Sequence, residues 1–150
     1  MKSIFDRTTR DELISRIYTL NENSKAQFGT MNVAQMMRHC ILYEEWILGK
    51  NPYRYKQSFL GRLFGKSVLK DVLKDDSPLK QNMPTVGLLK VKENSYDLIT
   101  ERKNWIARIE EFEHFSNHDF IHSFFGKMTK EQIGYLDYKH SDHHLRQFNA

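Results

Sequence analysis

The sequence predicts an all-α fold: an antiparallel four-helix bundle with an accessory helix between the second and third helices of the bundle. Three observations predict this class. Apolar residues recur at helical spacing in several long segments, helix-start signals precede three of these segments, and no segment shows the alternating pattern of a β-strand. Each amphipathic segment has one apolar face to bury, so packing four of them side by side is the simplest arrangement.

The first two helices each begin with a capping box, in which two side chains satisfy each other's backbone N–H groups. Thr9 and Glu12 have this spacing and predict a helix over 9–22. Asn32 and Gln35 give the same signal for the second helix, which carries the clearest apolar stripe of the first half of the chain.

The middle of the chain predicts one shorter helix, one loop and one further bundle helix. Residues 57–74 follow the helical period and form the accessory helix, although two glycines interrupt the segment. Residues 75–85 contain two of the three prolines and are predicted to be a surface loop. The third bundle helix is predicted over 93–112, with Ile99 facing inward and Glu101 outward.

A third capping box, Thr129 with Gln132, predicts a last helix that runs almost to Ala150. Projection at 100° per residue gives an inward stripe that contains two histidines. The residues of this stripe are Ile133, Leu136, His140, His144, Gln147 and Phe148, and those opposite it are Lys139, Asp142 and Arg146.

The length and composition predict a single globular domain, residues 1–150. No linker-like break interrupts the 150 residues, and 39% hydrophobic with 28% charged residues is an ordinary globular balance. The formal charge of +4 comes from acidic and basic residues interspersed along the chain, so we expect no nucleic-acid partner.

The chain has the features of a cytoplasmic protein. Its single cysteine, Cys40, cannot form an internal disulfide, and the N-terminal residues are too charged for a secretory signal. No apolar run approaches the roughly 18 to 20 residues that a membrane span requires. We therefore expect no membrane partner.

His140 and His144 are one helical turn apart, where both imidazoles can point at a common atom. A divalent metal ion would explain two polar rings on an apolar face, because neutral imidazole binds zinc and related metals well. The alternative is that each ring finds an ordinary hydrogen-bond partner. His39, at the edge of the second helix's stripe, is the best candidate for a third ligand, although a lone histidine is more often a hydrogen-bonded residue of the core or its boundary.

Four further residues are candidates for contacts that orient the ligands or bind a substrate. In metal sites, residues behind the ligands orient them by hydrogen bonds. They are Tyr43, Asp137, His143 and Gln147.

A rival set, His114, His118 and His122, is also spaced by four, but Ser, Asn and Asp between its members disfavour a helix. Cys40 lies next to His39, so it is either a thiolate ligand or a small core residue.

Two segments, residues 32–39 (NVAQMMRH) and 139–148 (KHSDHHLRQF), resemble the DinB-like superfamily, which includes the YfiT-type proteins, and most of all its domain-of-unknown-function branch. The resemblance implies a four-helix bundle that binds one divalent metal, often nickel or zinc. It implies His39, His140 and His144 as the ligands. The segment 122–126 (HSFFG) is similar to a signature of this branch that commonly has proline where Ser123 stands.

Characterised members of this superfamily include enzymes that use a low-molecular-weight thiol, such as bacillithiol or mycothiol, against an electrophile. The resemblance therefore implies a metal-dependent enzyme that transfers such a thiol to a small electrophile or activates water. The alternative is a non-catalytic, metal-stapled bundle that binds a ligand or a partner.

Two expectations concern larger partners. A nucleic-acid partner would have to use the basic residues of the accessory segment, which are more simply a solvated face. These residues are Arg54, Lys56, Arg62, Lys66, Lys70 and Lys74. The aromatic-rich stretch 112–125 is a candidate interface for a homodimer.

Overall fold

The computed structural model describes residues 1–53, 55–83, 85–93 and 95–150. Three positions that fall in predicted features lie outside the described residues: Arg54 in the basic set, Pro84 in the loop and Asn94 in the third bundle helix.

The described residues form five α-helices, two short 3-10 helices and one two-stranded antiparallel sheet, so the chain is mostly helical. In chain order the main elements are α1 (Arg7–Thr19), α2 (Val33–Leu48), α3 (Phe59–Val72), α4 (Leu98–Glu111), β1 (Ile121–His122), β2 (Gly126–Lys127) and α5 (Lys130–Gln147). The 3-10 helices are Gly87–Leu89 and Phe112–His114.

Helices α1, α2, α4 and α5 contact one another in pairs, and α3 is joined to α5 where the Val72 carbonyl oxygen accepts from Lys139. Both α1 and α2 contact α4 and α5, whereas α3 contacts β2. Trp46 of α2 and Trp105 of α4 are fully buried and contribute the largest side chains of the core. None of the described helices combines the length and the apolar character that crossing a bilayer requires.

Two of the three predicted capping boxes are confirmed. At the start of α2, the Gln35 backbone N–H donates to the Asn32 side chain (2.8 Å), and the Asn32 N–H donates to the Gln35 side chain (2.9 Å). Thr129 and Gln132 make the same reciprocal pair at the start of α5. Because each pair satisfies two otherwise unpaired N–H groups, these two helices begin where the sequence predicts.

The other helix boundaries differ from the prediction. Asp6 precedes α1 without a side-chain cap bond, and Thr9 is buried inside the helix, so the capping box expected there is wrong. Helix α4 begins at Leu98 rather than 93, because the Asp97 side chain accepts the Thr100 N–H at 2.7 Å and caps the helix there.

The prediction that the chain contains no strand is also wrong. β1 and β2 form a hairpin in which Ile121 pairs with Lys127 and His122 with Gly126. Each strand has only two residues, which is too short to show an alternating pattern. Gly126 has a φ of 76°, a left-handed conformation that glycine adopts at little cost.

The two glycines of α3 explain how this helix packs. A Cβ at Gly61 or Gly65 would lie 2.4 or 2.2 Å from the Phe124 carbonyl oxygen, so only glycine allows the helix to approach the hairpin this closely. Consequently the first half of α3 buries its glycines and exposes large apolar residues, which the predicted apolar stripe did not anticipate, whereas Leu69 of the stripe is buried. The exposed apolar side chains of α3 are Phe59, Leu60, Leu63 and Phe64.

Four side chains lie on the opposite side from the one predicted. Ile99 is 73% exposed, whereas Glu101 is buried. Lys139 and Asp142 are buried as well, because each has partners. The Lys139 ammonium donates to two backbone carbonyl oxygens, both at 2.8 Å. Asp142 accepts from Arg16 of α1 and from the arginine one turn later in α5.

The aromatic-rich stretch contributes to the core. Phe112, Phe115, Phe120 and Phe125 are buried, and Phe112 stacks on Phe115 with their ring centroids 6.3 Å apart. These rings are therefore not available to a partner, and the homodimer stays a prediction.

Candidate metal centre

Helices α2 and α5 bring three histidines together. His39 comes from α2, and His140 and His144 come from one face of α5, one turn apart. One nitrogen of each ring lies within 4.8 Å of a nitrogen of the other two, so the cluster could hold a metal ion. His39 and His144 are buried and His140 is partly buried, which places the cluster inside the protein.

The far side of His39 determines which of its nitrogens faces the cluster. Its Nδ1 lies 2.9 Å from the carbonyl oxygen of Leu89, in the first 3-10 helix. A carbonyl oxygen only accepts, so Nδ1 carries the proton. The neutral ring then presents the lone pair of Nε2 to the cluster, which is the form that ligates a metal.

His144 is oriented in the same way through Gln147. The Gln147 side-chain N–H donates to the carbonyl oxygen of Phe28 at 2.7 Å, which fixes the orientation of the amide. Its oxygen therefore faces His144 and accepts the Nδ1 proton at 2.9 Å. Nε2 of His144 is left as an unprotonated acceptor, like Nε2 of His39.

The third ring has a different environment. Nε2 of His140 lies 3.1 Å from Nε2 of His39, and because His39 offers a lone pair there, His140 must donate a proton across this contact in the metal-free protein. Nδ1 of His140 is buried and has no partner among the described residues. A metal ion in place of the shared proton would move the His140 proton to this nitrogen.

Asp137 is one turn before His140 on α5 and is completely buried. Neither of its carboxylate oxygens has a partner within the described part of the chain. An unpaired buried carboxyl is costly, and no hydrogen bond joins it to the His140 ring in the described part of the chain.

Burial keeps the three histidines neutral. It lowers the pKa of His144 to about 3 and that of His140 well below its ordinary value, and repulsion between the charged forms of neighbouring rings lowers both further. Burial also lowers the pKa of His39. At neutral pH all three rings therefore offer lone pairs, as metal ligation requires.

Tyr43 and His143 lie beside the cluster. The Tyr43 ring stacks on His140, with centroids 3.9 Å apart, and burial raises the pKa of its hydroxyl well above the ordinary value, so it stays a phenol. The His143 ring lies 5.1 Å from those of His144 and Phe28.

Glu44 is a buried carboxyl of α2 that sequence reasoning missed. Its carboxyl accepts from the Trp105 indole N–H at 2.7 Å. Burial, followed by repulsion from Asp137, raises its pKa well above the ordinary value, and burial raises the pKa of Asp137 to about 8. A signal was present, because Glu44 lies on the apolar stripe of α2, one turn after Cys40.

Two cavities meet at the histidine cluster. The Gln147 cavity, of about 450 Å³, is lined by polar groups that include Thr30, Asn82 and Lys90 besides Gln147. The His122 cavity, of about 280 Å³, has mainly apolar walls. The residues that line both cavities are His39, Met83, Thr85, Leu89, His143 and His144. Two small molecules could therefore approach the cluster from different sides.

The rival histidines do not form a second cluster. His114 and His118 are exposed, and His122 is buried in the hairpin. Cys40 is buried among core residues, and burial raises the pKa of its thiol, which makes it a small apolar residue.

The fold and the site together define a mostly helical protein whose three-histidine cluster could hold a metal ion. Residues 3–150 match the profile of a family described as "Protein of unknown function (DUF1569)", and the chain belongs to this family. No curated protein and no solved structure matches the chain.

Proposed function

We propose that the protein is a metal-dependent enzyme of the DinB-like type, in which His39, His140 and His144 bind one zinc or nickel ion. The observation that carries the proposal is the orientation of the rings. Leu89 and Gln147 each accept an Nδ1 proton, and both rings therefore direct an Nε2 lone pair at the same place.

The proposal includes a four-helix bundle made of α1, α2, α4 and α5, with α3 as the accessory helix. The pairwise packing of these four helices supports it, as does the position of α3 against the hairpin. In such bundles, metal sites are built from side chains of facing helices, which is how α2 and α5 share the three histidines.

Three protein ligands leave a coordination position for a further group. A divalent ion bound by the three histidines would act as a Lewis acid, and it would lower the pKa of a thiol or a water molecule in this open position. The two cavities give this position two approaches: the polar Gln147 cavity suits a low-molecular-weight thiol, and the His122 cavity suits a small electrophile.

Elemental analysis of protein purified without an affinity tag tests the metal site. We expect about one equivalent of zinc or nickel in the wild type and its loss in the double variant His140→Ala, His144→Ala. The variant His114→Ala, His118→Ala is a matched control, because it removes two exposed histidines. Equal trace metal in all three proteins after reloading would contradict the proposal.

The second candidate function is a metal-stapled bundle without turnover. It is favoured by the position of the cluster, which ties α2 to α5 in the protein interior. A large loss of thermal stability on chelation, with no consumption of thiol by the metal-loaded protein in the presence of electrophiles, would support the staple over the enzyme.

A further inference from the structure

The hairpin fixes the protonation of His122. Nδ1 of this histidine accepts the backbone N–H groups of Phe124 and Phe125, both at 3.1 Å. A backbone N–H only donates, so Nδ1 is unprotonated and the neutral ring carries its proton on Nε2. Burial lowers the pKa of His122 to about 4, which keeps the ring neutral at physiological pH.

Aromatic rings hold His122 in place. Phe125 stacks on it with centroids 4.5 Å apart, and Trp46 and Phe120 lie at 5.2 and 6.3 Å. Contacts from the segment before α3 fix the hairpin in turn, since the Gln57 amide donates to the Phe124 carbonyl oxygen at 2.9 Å. The His122 ring therefore has one orientation.

The Nε2–H of His122 is a donor without an acceptor. Among the residues that the structure describes, no oxygen or nitrogen accepts from it, although the ring is almost completely buried and lines the His122 cavity. Nε2 is not sealed off by the protein, as Nδ1 of His140 is, so a ligand in the cavity that brings an acceptor gains this hydrogen bond.

The walls of the His122 cavity determine what such a ligand can be. The described lining residues include no aspartate, glutamate, lysine or arginine, so in the metal-free protein no charged side chain there would compensate a charged ligand. Most of the wall is apolar, with Val72, Leu79, Val86 and Leu136 among its residues. His140 and His144 lie in the same lining, so a ligand in this cavity would touch the metal centre.

We propose that the His122 cavity binds a neutral, mainly apolar small molecule with a carbonyl or similar acceptor oxygen, and that His122 donates a hydrogen bond to that oxygen. The inference names the electrophile class of the proposed enzyme and rests on that proposed function for any turnover. Binding itself requires no metal and is therefore measured on metal-free protein.

Two probes of nearly equal shape isolate the hydrogen bond. Acetophenone carries the acceptor oxygen, and α-methylstyrene has a CH₂ group in its place. We expect the chelated wild type to bind acetophenone about three- to tenfold more tightly, measured by chemical-shift titration. Long-range proton–nitrogen correlation spectra should show the His122 proton on Nε2.

His122→Asn is the informative variant. The asparagine oxygen can accept the two N–H groups of the turn, as it does in Asx-turns, while the Nε2 donor is lost. We expect this variant to fold, to keep its thermal midpoint within a few degrees and to bind the two probes equally. His122→Gln, which can place an N–H near the former Nε2 position, should recover part of the preference.

Three results would overturn the inference: equal affinity of the wild type for both probes, no binding of either probe up to its solubility limit, or an unchanged preference in His122→Asn. A wild type that binds metal but shows no preference would contradict this inference alone. A wild type that binds no metal but prefers acetophenone would contradict only the proposed enzyme.

Discussion

At the scale of single residues, the backbone and one amide decide what the histidines can do. Leu89 orients His39 through a carbonyl oxygen, and Phe28 orients Gln147, which then orients His144. A carbonyl oxygen cannot donate a hydrogen bond, so the Nε2 lone pairs of His39 and His144 are fixed before a metal ion binds. Fixed ligands of this kind bind a metal without paying the entropy of ordering the rings.

Replacing Gln147 with leucine tests this orientation. The variant loses the acceptor for the His144 Nδ1 proton, so we expect its zinc affinity to fall by about 10- to 100-fold, measured by competition with a chromophoric chelator. Gln81→Leu, at an exposed position, should leave the affinity unchanged. Equal zinc affinity in the two variants would show that Gln147 has no part in holding His144.

The sequence predicts which histidines lie together better than it predicts the residues around them. His140 and His144 were found because a spacing of four places two side chains on one helical face. Glu44 was missed because a carboxyl on an apolar stripe is uncommon, and the acceptor role of Nδ1 in His122 depends on a turn that no spacing reveals.

At the scale of secondary-structure elements, α3 and the hairpin act as a unit. Gly61 and Gly65 bring the helix onto the Phe124 backbone, and the same hairpin positions His122. The capping boxes of α2 and α5 were predictable because they are local, four-residue signals. The close approach of α3 to the hairpin was not, since it depends on residues about 60 positions apart.

Gly65→Ala tests the packing of α3. Alanine favours a helix over glycine by about 1 kcal/mol, but its Cβ would lie 2.2 Å from a backbone oxygen that cannot move alone. We expect the free energy of unfolding in urea to fall by about 1–2 kcal/mol. Gly87→Ala is the control, because a Cβ at this position would have no described atom beyond its chain neighbours within 4 Å. A Gly65→Ala protein as stable as the wild type would contradict this packing.

At the scale of the whole molecule, the described core holds two completely buried carboxyls, Glu44 and Asp137, and the charge of Asp137 acts on Glu44. Burial raises the pKa of both acids, so each favours its protonated form in the folded state. Ionising either acid at neutral pH is therefore a cost to the stability of the folded protein.

The pH dependence of stability measures this cost. Because the pKa of Glu44 is higher in the folded than in the unfolded state, its contribution is most favourable below about 4.5 and is lost as the pH rises. Glu44→Gln removes the titration and keeps an acceptor for Trp105. We expect the metal-free variant to gain stability over the wild type between about pH 5 and 8, by at most about 1.4 kcal/mol per pH unit.

Urea unfolding of both proteins at each pH gives this difference directly. If the free energies of unfolding of the two proteins differ by the same amount at every pH, Glu44 does not titrate in this range. The same curves test the predicted single domain, because one domain of this size should unfold in one cooperative transition by every probe.

The packing of α1 against α4 and α5 determines when the protein can fold during synthesis. The Ile4 N–H donates to the Gly134 carbonyl oxygen, and Arg16 donates to the carbonyl oxygen of Ala150. Helix α1 is therefore synthesised before α5, the helix against which it packs. Until α5 has emerged from the ribosome, the apolar side chains of α1, among them Leu13 and Ile17, have no complete site to enter, and the nascent chain is exposed to aggregation and to chaperones.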